Sequence, residues 1–235
     1  MKVDLFGDNI GSVEYVDHMG SDLSVVNAAR VSFGVEKNEL DEKDTKLINY
    51  LMQHNHTSPF EHCVVTMRFT VPLFIRSQHH RHRTWAYNEI SRRYTSVDMQ
   101  FYSPSEFRTQ HKSNRQASSD ELINPDLNSR FTRLLPTPAY LASEAVKSHN
   151  IKSLNLYDSL IKKGICREQA RGVLPQSLYT QYYGTANLHN LLKFISLRSH
   201  AGAQWEIQQV AKACLEIAES FFPTSVTAYR EWKNV

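Results

Sequence analysis

From His62 to Val71 the chain alternates strictly, with Cys63, Val65, Met67, Phe69 and Val71 on one face and His62, Val64, Thr66, Arg68 and Thr70 on the other. A period of two is the signature of a half-buried strand. Pro72 is expected to end it, because proline carries no N–H for the ladder. Elsewhere the apolar period lengthens to that of a helix. Asp22 to Val31, opening on Asp22-Leu23-Ser24, and Asp41 to His54 read as helices, and Leu47, Ile48 and Leu51 share one helical face. Leu73 to His82, Leu141 to Lys163 and, after the Gly164 break, Arg167 to Leu174 read as further helices, and Ser177 to Tyr183 as a second strand. Leu188, Leu191, Leu192 and Ile195 form one helical stripe, and Ile207, Val210, Ala211, Cys214, Ala218 and Phe221 another. These elements predict an α+β chain, a small antiparallel sheet packed with several helices. Residues 103–138 depart from both periods, with Pro104, Pro125, Pro136 and Pro138 and a Ser/Asn/Gln/Arg mixture over 109–120. They are expected to form a long polar excursion or lid with one short helix.

Length and charge narrow the picture. The 235 residues contain no stretch of linker composition, so one domain over 1–235 is expected. Lysine and arginine number 27 against 24 acidic residues, a net charge of +3 that suits anionic ligands but falls short of a dedicated nucleic-acid binder. Cys63, Cys166 and Cys214 are far apart and odd in number, which points away from a disulfide framework and towards a reducing, cytoplasmic setting. The first residues carry acids where a signal peptide needs an apolar run, and no apolar stretch of about 18 residues occurs, so a soluble protein without membrane contact is expected.

The positive charge is concentrated. Arg81 to Tyr94 holds four arginines, a histidine, Glu89, Ser91 and three aromatics. On a helix, Gln78, Arg81 and His82 at i, i+3 and i+4 would line one face with donors. Arginine forks grip phosphate oxygens in pairs, and sheltered hydrogen bonds to charged groups contribute about 1.5–3 kcal/mol each. Trp85, Tyr87 and Tyr94, interleaved with the arginines, suggest stacking surfaces for a flat ligand. Glu89 has two readings from spacing, an acceptor for ligand N–H or hydroxyl groups or a salt-bridge partner only. Arg171 by itself reads as a surface arginine. Asn187 and Arg198, eleven positions apart, are expected on one side of one helix. The histidines do not form a metal motif: no HExxH spacing or cysteine partners occur, and His79, His80 and His82 on one helix would diverge. Cys63 and Cys214 fall on apolar faces. Cys166, just before Arg167 at a helix start, is the only cysteine whose surroundings could lower a thiol pKa, and it reads as a nucleophile only as a minor alternative.

Arg81-His82-Arg83 followed after seven residues by Ser91, then Arg93-Tyr94, resembles the signature of the flavin-dependent thymidylate synthase family. Ala28 to Phe33, Ser58 to His62, Ala170-Arg171 through Leu174-Pro175, and Ala203 to Ile207 also resemble family segments in the same order. The resemblance implies reductive methylation of dUMP to dTMP, with 5,10-methylenetetrahydrofolate as carbon donor and NADPH reducing a bound FAD. It implies FAD contacts at Ser32, His56, Ser58, Arg81, His82, Arg83, Glu89, Asn187 and His189. For dUMP it implies Gln78, Arg81, Glu89, Ser91, Arg92, Arg93, Arg171 and Arg198, with Arg198 as the catalytic residue that activates the pyrimidine. It also implies a homotetramer with shared active sites, in which Arg81 to Arg83 face one site and Ser91 to Arg93 another. Ala86, Arg92, His189 and Lys193 depart from the usual family residues, and no flavin role is carried to Lys193. Two other function classes compete: a single-strand nucleic-acid module stacking bases on the Arg81–Tyr94 aromatics, and a thymidylate synthase using Cys166.

Overall fold

A computed structural model describes residues 1–128 and 139–233. The alternating run becomes a strand as expected. A first hairpin, β1 (Lys2–Asp4) and β2 (Ser12–Met19), pairs through β2 with β3 (Val64–Pro72), and the sheet continues through β7 (Tyr179–Asn187) to β4 (Ala86–Glu89). β2 with β3 and β4 with β7 are antiparallel, with Val13 opposite Phe69 and Tyr87 opposite Gly184. Between β3 and β7, Thr66 Oγ1 meets Thr185 Oγ1 at 2.9 Å and Gln181 Nε2 donates to Thr70 Oγ1 at 3.3 Å, pairs that advance in opposite directions along the two strands. Val65, Met67, Phe69 and Val71 are all at most 1% exposed, while the alternate residues are half-buried.

The expected helices form with small shifts at their ends. They are α1 (Asp22–Arg30), α2 (Glu42–Gln53), α4 (Ala142–Lys162), α6 (Leu188–Arg198) and α7 (Trp205–Glu219). Asp41 caps α2, accepting from the backbone N–H of Lys43 and Asp44. Two helices are shorter than their apolar spacing implies. α3 (Leu73–His79) stops before Arg81, and α5 (Arg167–Ala170) passes into a tighter turn over Arg171–Val173. The final helix, α8 (Pro223–Lys233), lacks the long apolar run that drew attention to α7, yet Ser225, Val226, Ala228 and Tyr229 are buried. In the polar excursion a hairpin, β5 (Phe107–Gln110) with β6 (Ser118–Ile123), stands where a short helix was expected. Residues 129–138 of that excursion, with Pro136 and Pro138, lie outside the described residues.

Packing divides the chain into two compact units. One comprises Met1–Val71, Ile75–Glu89 and Gln181–Val235, and the other Pro72–Phe74 and Ile90–Thr180. The first contains most of the five-stranded sheet with α1, α2, α6, α7 and α8; the second contains the β5–β6 hairpin, α4 and α5. The division falls between Glu89 and Ile90, inside the arginine-rich run.

Asp22 ties the two ends of the first unit together. It is 3% exposed, and it accepts from Thr224 N at 2.8 Å, Ser225 N at 3.0 Å and Ser225 Oγ at 2.5 Å. A carboxylate at the start of α1 therefore satisfies the first-turn donors of α8, about two hundred residues later in the chain, where the helix dipole also favours negative charge. Asp22→Ala strands these buried donors and is expected to lower unfolding free energy by about 2–4 kcal/mol, measured by urea denaturation at pH 7. Asp22→Asn, which keeps an acceptor, should lose distinctly less.

Candidate functional site

Two buried or half-buried rings decide where the arginine-rich run emerges in the first unit. His79, the last residue of α3, is fully buried, with ring contacts to Phe69 at 4.7 Å, Trp85 at 4.6 Å and Phe194 at 4.5 Å, and its Nδ1 shares a 2.8 Å hydrogen bond with the Tyr182 hydroxyl. Burial pushes its imidazole well below the usual histidine range, with nearby His82, His80 and Arg198 adding to the shift, so the ring is neutral. Tyr87, on β4, sends its hydroxyl back to the carbonyl oxygens of His79 at 2.9 Å and His82 at 3.1 Å. These are carbonyls at and just beyond the end of α3, so Tyr87 closes the turn that carries Arg81, His82 and Arg83.

This arrangement corrects two expectations. Arg81 and His82 lie beyond α3 and do not share a helical face with Gln78. Trp85 is 7% exposed and Tyr87 half-buried, so both are core packing around His79 and are not open stacking surfaces; only Tyr94, 80% exposed, has a free face. Asn187 is the N-cap of α6, its Oδ1 accepting from Asn190 N at 2.9 Å, and Arg198 is the last residue of the same helix, eleven positions on.

What the turn does bring together is His82 and Arg198. Arg198 Nε donates to His82 Nε2 at 3.0 Å, which requires that nitrogen to be an unprotonated acceptor. Burial, then the charges of Arg198 and Lys193, lower His82 to about 4, so it is neutral at pH 7 and the bond persists. Arg198 is half-buried at the end of α6, and with Nε committed its two terminal nitrogens carry no hydrogen bond among the described residues. Arg81 and Arg83 are exposed and likewise make no side-chain hydrogen bond or ion pair among the described residues. Glu89 is not held by those arginines. Its Oε1 lies 3.1 Å from Arg76 Nε, an ion pair whose off-axis geometry leaves that buried N–H without a hydrogen bond. Gln78 Nε2 donates to Gln204 Oε1 at 2.5 Å, and Gln204 Nε2 to Glu206 Oε2 at 2.9 Å.

The remaining first-unit candidates are more dispersed. Ser32 is exposed in the Val31–Phe33 turn and donates to Ala29 O at 3.2 Å; His56 and Ser58 are exposed beyond α2, Ser58 opening the short helical turn Ser58–His62. That turn packs on α6, where burial lowers His189 while Glu61 opposes the shift. No hydrogen bond joins Ser32, His56 or Ser58 to the Arg81–Arg83 turn among the described residues.

In the second unit, Ser91 to Tyr94 form a turn, with Tyr94 N donating to Ser91 O at 2.9 Å and Arg93 N to Ser91 Oγ at 3.3 Å. Arg92 folds back on its own loop, Nη1 donating to Val97 O at 2.6 Å. Arg93 is exposed and pairs with Glu168 at 3.2 Å. Arg171 is exposed and has no side-chain partner among the described residues. Cys166 is exposed at the N-cap of α5, whereas Cys63 and Cys214 are buried and burial pushes both thiols up, Cys63 to about 11.

Sequence reasoning missed Arg76, which pairs with Glu89; Gln204, which accepts from Gln78, and Glu206, which accepts from Gln204; and His79, which reads in sequence as one of three diverging histidines. Helical spacing holds the only signal for Arg76, two residues before Gln78. Gln204 and Glu206 fall in a segment already singled out, but nothing local links them to Gln78.

Comparison with known proteins gives a consistent result. Residues 14–224 match the family described as thymidylate synthase complementing protein. The chain is 42% identical over 221 residues to a flavin-dependent thymidylate synthase of Thermus thermophilus, covering 94% of this chain and 76% of that protein. It is 40% identical over 219 residues to one of Thermotoga neapolitana, covering 93% and 90%. In fold it is similar to the UMP/dUMP methylase PolB of Streptomyces cacaoi solved with 5-Br dUMP, with a TM-score of 0.79, 31% identity and 99% of both chains covered.

The neutral histidines set a pH dependence. Unfolded imidazoles titrate near 6.5, so below that pH the unfolded chain takes up protons that the folded His79 and His82 refuse, and stability falls as pH drops from about 6.5 towards about 4. A second window lies lower. Burial would raise Asp44, but hydrogen bonds from Lys37 and Arg30 outweigh it and hold it at about 2, so its contribution is lost only below about pH 4. The melting temperature should therefore fall steadily between pH 6.5 and 4.5. His82→Asn, which keeps an acceptor for Arg198 and removes the titration, should show a shallower slope across that interval. An unchanged slope would contradict a neutral His82.

Proposed function

The chain belongs to the thymidylate synthase complementing protein family, and from that premise we propose that it is a flavin-dependent thymidylate synthase. It is a methyltransferase that converts dUMP to dTMP, with 5,10-methylenetetrahydrofolate as carbon donor, NADPH as reductant and FAD as cofactor. The observation that carries the residue assignment is the anchoring of Arg198 through Nε alone by His82.

The residues present fit FAD. Arg81 and Arg83 offer two exposed guanidinium forks without partners among the described residues, a donor set suited to a pyrophosphate. Ser58, His82, Glu89, Asn187 and His189 are the further contacts assigned to it, with Ser32 and His56 as outlying members. When bound, FAD supplies the reducing equivalents taken from NADPH. Asn187 has its Oδ1 occupied by the α6 cap, which leaves its amide N–H groups for a ligand carbonyl or phosphate.

Arg198 is assigned to the pyrimidine. Negative charge that develops on the ring during methylation is stabilised by the terminal N–H groups of Arg198, held in a fixed plane by the His82 bond and charged across the working pH range. Arg93 and Arg171 in the second unit are assigned to the nucleotide phosphate with Ser91 and the Arg92 backbone N–H. The unprotonated Nε2 of His82 and the neutral His79 add no positive charge beside Arg198.

We further propose a homotetramer. Val31 is 73% exposed and Phe33 83%, with Val35 and Leu40 also open in the same stretch, apolar surface suited to being covered by another copy of the chain. No helix among the described residues is long and apolar enough to cross a membrane, and the three cysteines are free, which supports a reducing cytoplasmic location.

Purified protein is expected to bind FAD, with a flavin absorbance that bleaches on adding NADPH, and to form dTMP from dUMP and methylenetetrahydrofolate; protein that neither carries nor takes up FAD refutes the assignment. Arg198→Ala should retain FAD and lose dTMP formation by a factor of about 10²–10³, followed by single-turnover product formation. Near-normal turnover removes Arg198 from the chemistry. Cys166→Ala should leave turnover within about two-fold, since surface changes away from a site are nearly neutral; its abolition would instead indicate a cysteine nucleophile.

A further inference from the structure

We propose that Glu206, acting through Gln204, fixes the polarity of Gln78 so that the oxygen end of its amide is the end offered to the nucleotide. This rests on the assignment of Gln78 to dUMP and adds to it a specificity device that lies two side chains away.

The argument starts from the one group in the chain of contacts whose polarity is not interchangeable. A glutamine amide can be turned end for end with little change of shape, so by itself it selects neither a donor nor an acceptor. A carboxylate is different, because it only accepts. Glu206 Oε2 receives Gln204 Nε2 at 2.9 Å, which turns the nitrogen end of Gln204 towards Glu206 and its oxygen end towards Gln78. Gln204 Oε1 in turn receives Gln78 Nε2 at 2.5 Å, which turns the nitrogen end of Gln78 inward. Gln78 Oε1 is left facing away from Gln204 and has no partner among the described residues. Turning either amide over would place oxygen against the Glu206 carboxylate or oxygen against oxygen between the two glutamines. The orientation is therefore set from Glu206 outward.

Position reinforces this. Gln78 lies in α3, one residue before the buried His79 that pins the helix end; Gln204 is the N-cap residue of α7 and Glu206 sits in its first turn. Gln204 has no capping bond of its own, so its side chain is free for the relay. All three residues are half-buried, sheltered enough for a mismatched pair to be costly.

An acceptor selects a donor. Outside its phosphate, dUMP has two, the N3–H of the base and the 3′-hydroxyl. Gln78 Oε1 is thus a reader of one of them, and Glu206 and Gln204 are positioning residues for it.

Binding of dUMP, N3-methyl-dUMP and 3′-deoxy-dUMP to the FAD-loaded enzyme by calorimetry tests the relay, since each analogue lacks one donor. In Glu206→Gln, an amide replaces the acceptor-only group and both glutamines can turn over. Affinity for dUMP is then expected to fall about ten-fold, while affinity for one of the two analogues is unchanged, so that discrimination between them collapses. The double variant Gln204→Glu with Glu206→Gln moves the carboxylate one step along. It can accept from Gln78 on one side and from the new amide at 206 on the other, so discrimination should return to within about two-fold of the original. Equal losses for all three nucleotides in Glu206→Gln, or no recovery in the double variant, overturn the relay. Gln78→Leu separates the premise from the inference: unchanged dUMP affinity there shows that Gln78 does not touch the nucleotide, whereas a loss there with uniform losses in Glu206→Gln overturns the relay alone.

Discussion

A neutral imidazole sealed in an aromatic core is the constraint from which the described site follows. His79 cannot be charged in that setting, and its one strong polar partner, Tyr182, reaches it from β7 while Phe69 of β3 and Phe194 of α6 close on its faces. Strand and helix are thereby locked around the last residue of α3. The chain must then leave the helix, and Tyr87 takes up the carbonyls at the break. Helical continuation would have carried Arg81 and His82 round the same cylinder as Gln78. The break instead releases Arg81 and Arg83 into solvent and turns His82 towards the end of α6.

The close packing of that core has its own requirement. Gly184 lies opposite Tyr87 in the sheet, and a Cβ there would come within 2.9 Å of the Phe69 ring and 3.3 Å of Trp85. The absence of a side chain lets both rings approach β7, and Phe69 stacks on Tyr182 at 5.1 Å. Trp85 and Tyr87, which sit among the arginines in sequence, therefore hold the backbone, and Tyr94 alone of the three rings stays exposed. The anion-binding capacity resides in the guanidinium groups left outside. A cluster that reads as one mixed patch along the chain separates by depth, rings inward and charges outward.

Much of the fold was legible because one physical signal, apolar periodicity, dominates wherever an element has a single buried face. β3, α2, α4, α6 and α7 are of this kind, and their ends fall within a few residues of the expected positions. Where burial depends on distant partners, local spacing misleads. β4 has only four residues and forms because β7 offers it a ladder, and α8 is stabilised at its start by Asp22 from the other end of the first unit. The β5–β6 hairpin lacks a clean alternation, with Arg108 paired to Asp120 across the strands and a register irregularity between Arg108 and Gln110. Its polar composition resembles that of a loop because little of it is buried.

The candidate residues were legible as types and not as partners. Spacing identified Arg198 and His82 separately, but the hydrogen bond between them joins positions 116 apart, beyond anything a period can encode. Glu89 illustrates the same limit: its local company is the arginine run, yet its ion-pair partner is Arg76 on the far side of the His79 turn. Each of these pairings needs the core to form first. His82 accepts from Arg198 because burial has removed its proton, and burial is a property of the fold around it. The charge state of the site is thus a product of packing, so a substitution in the His79 cluster reaches Arg198 by altering the protonation of His82, with no direct contact required.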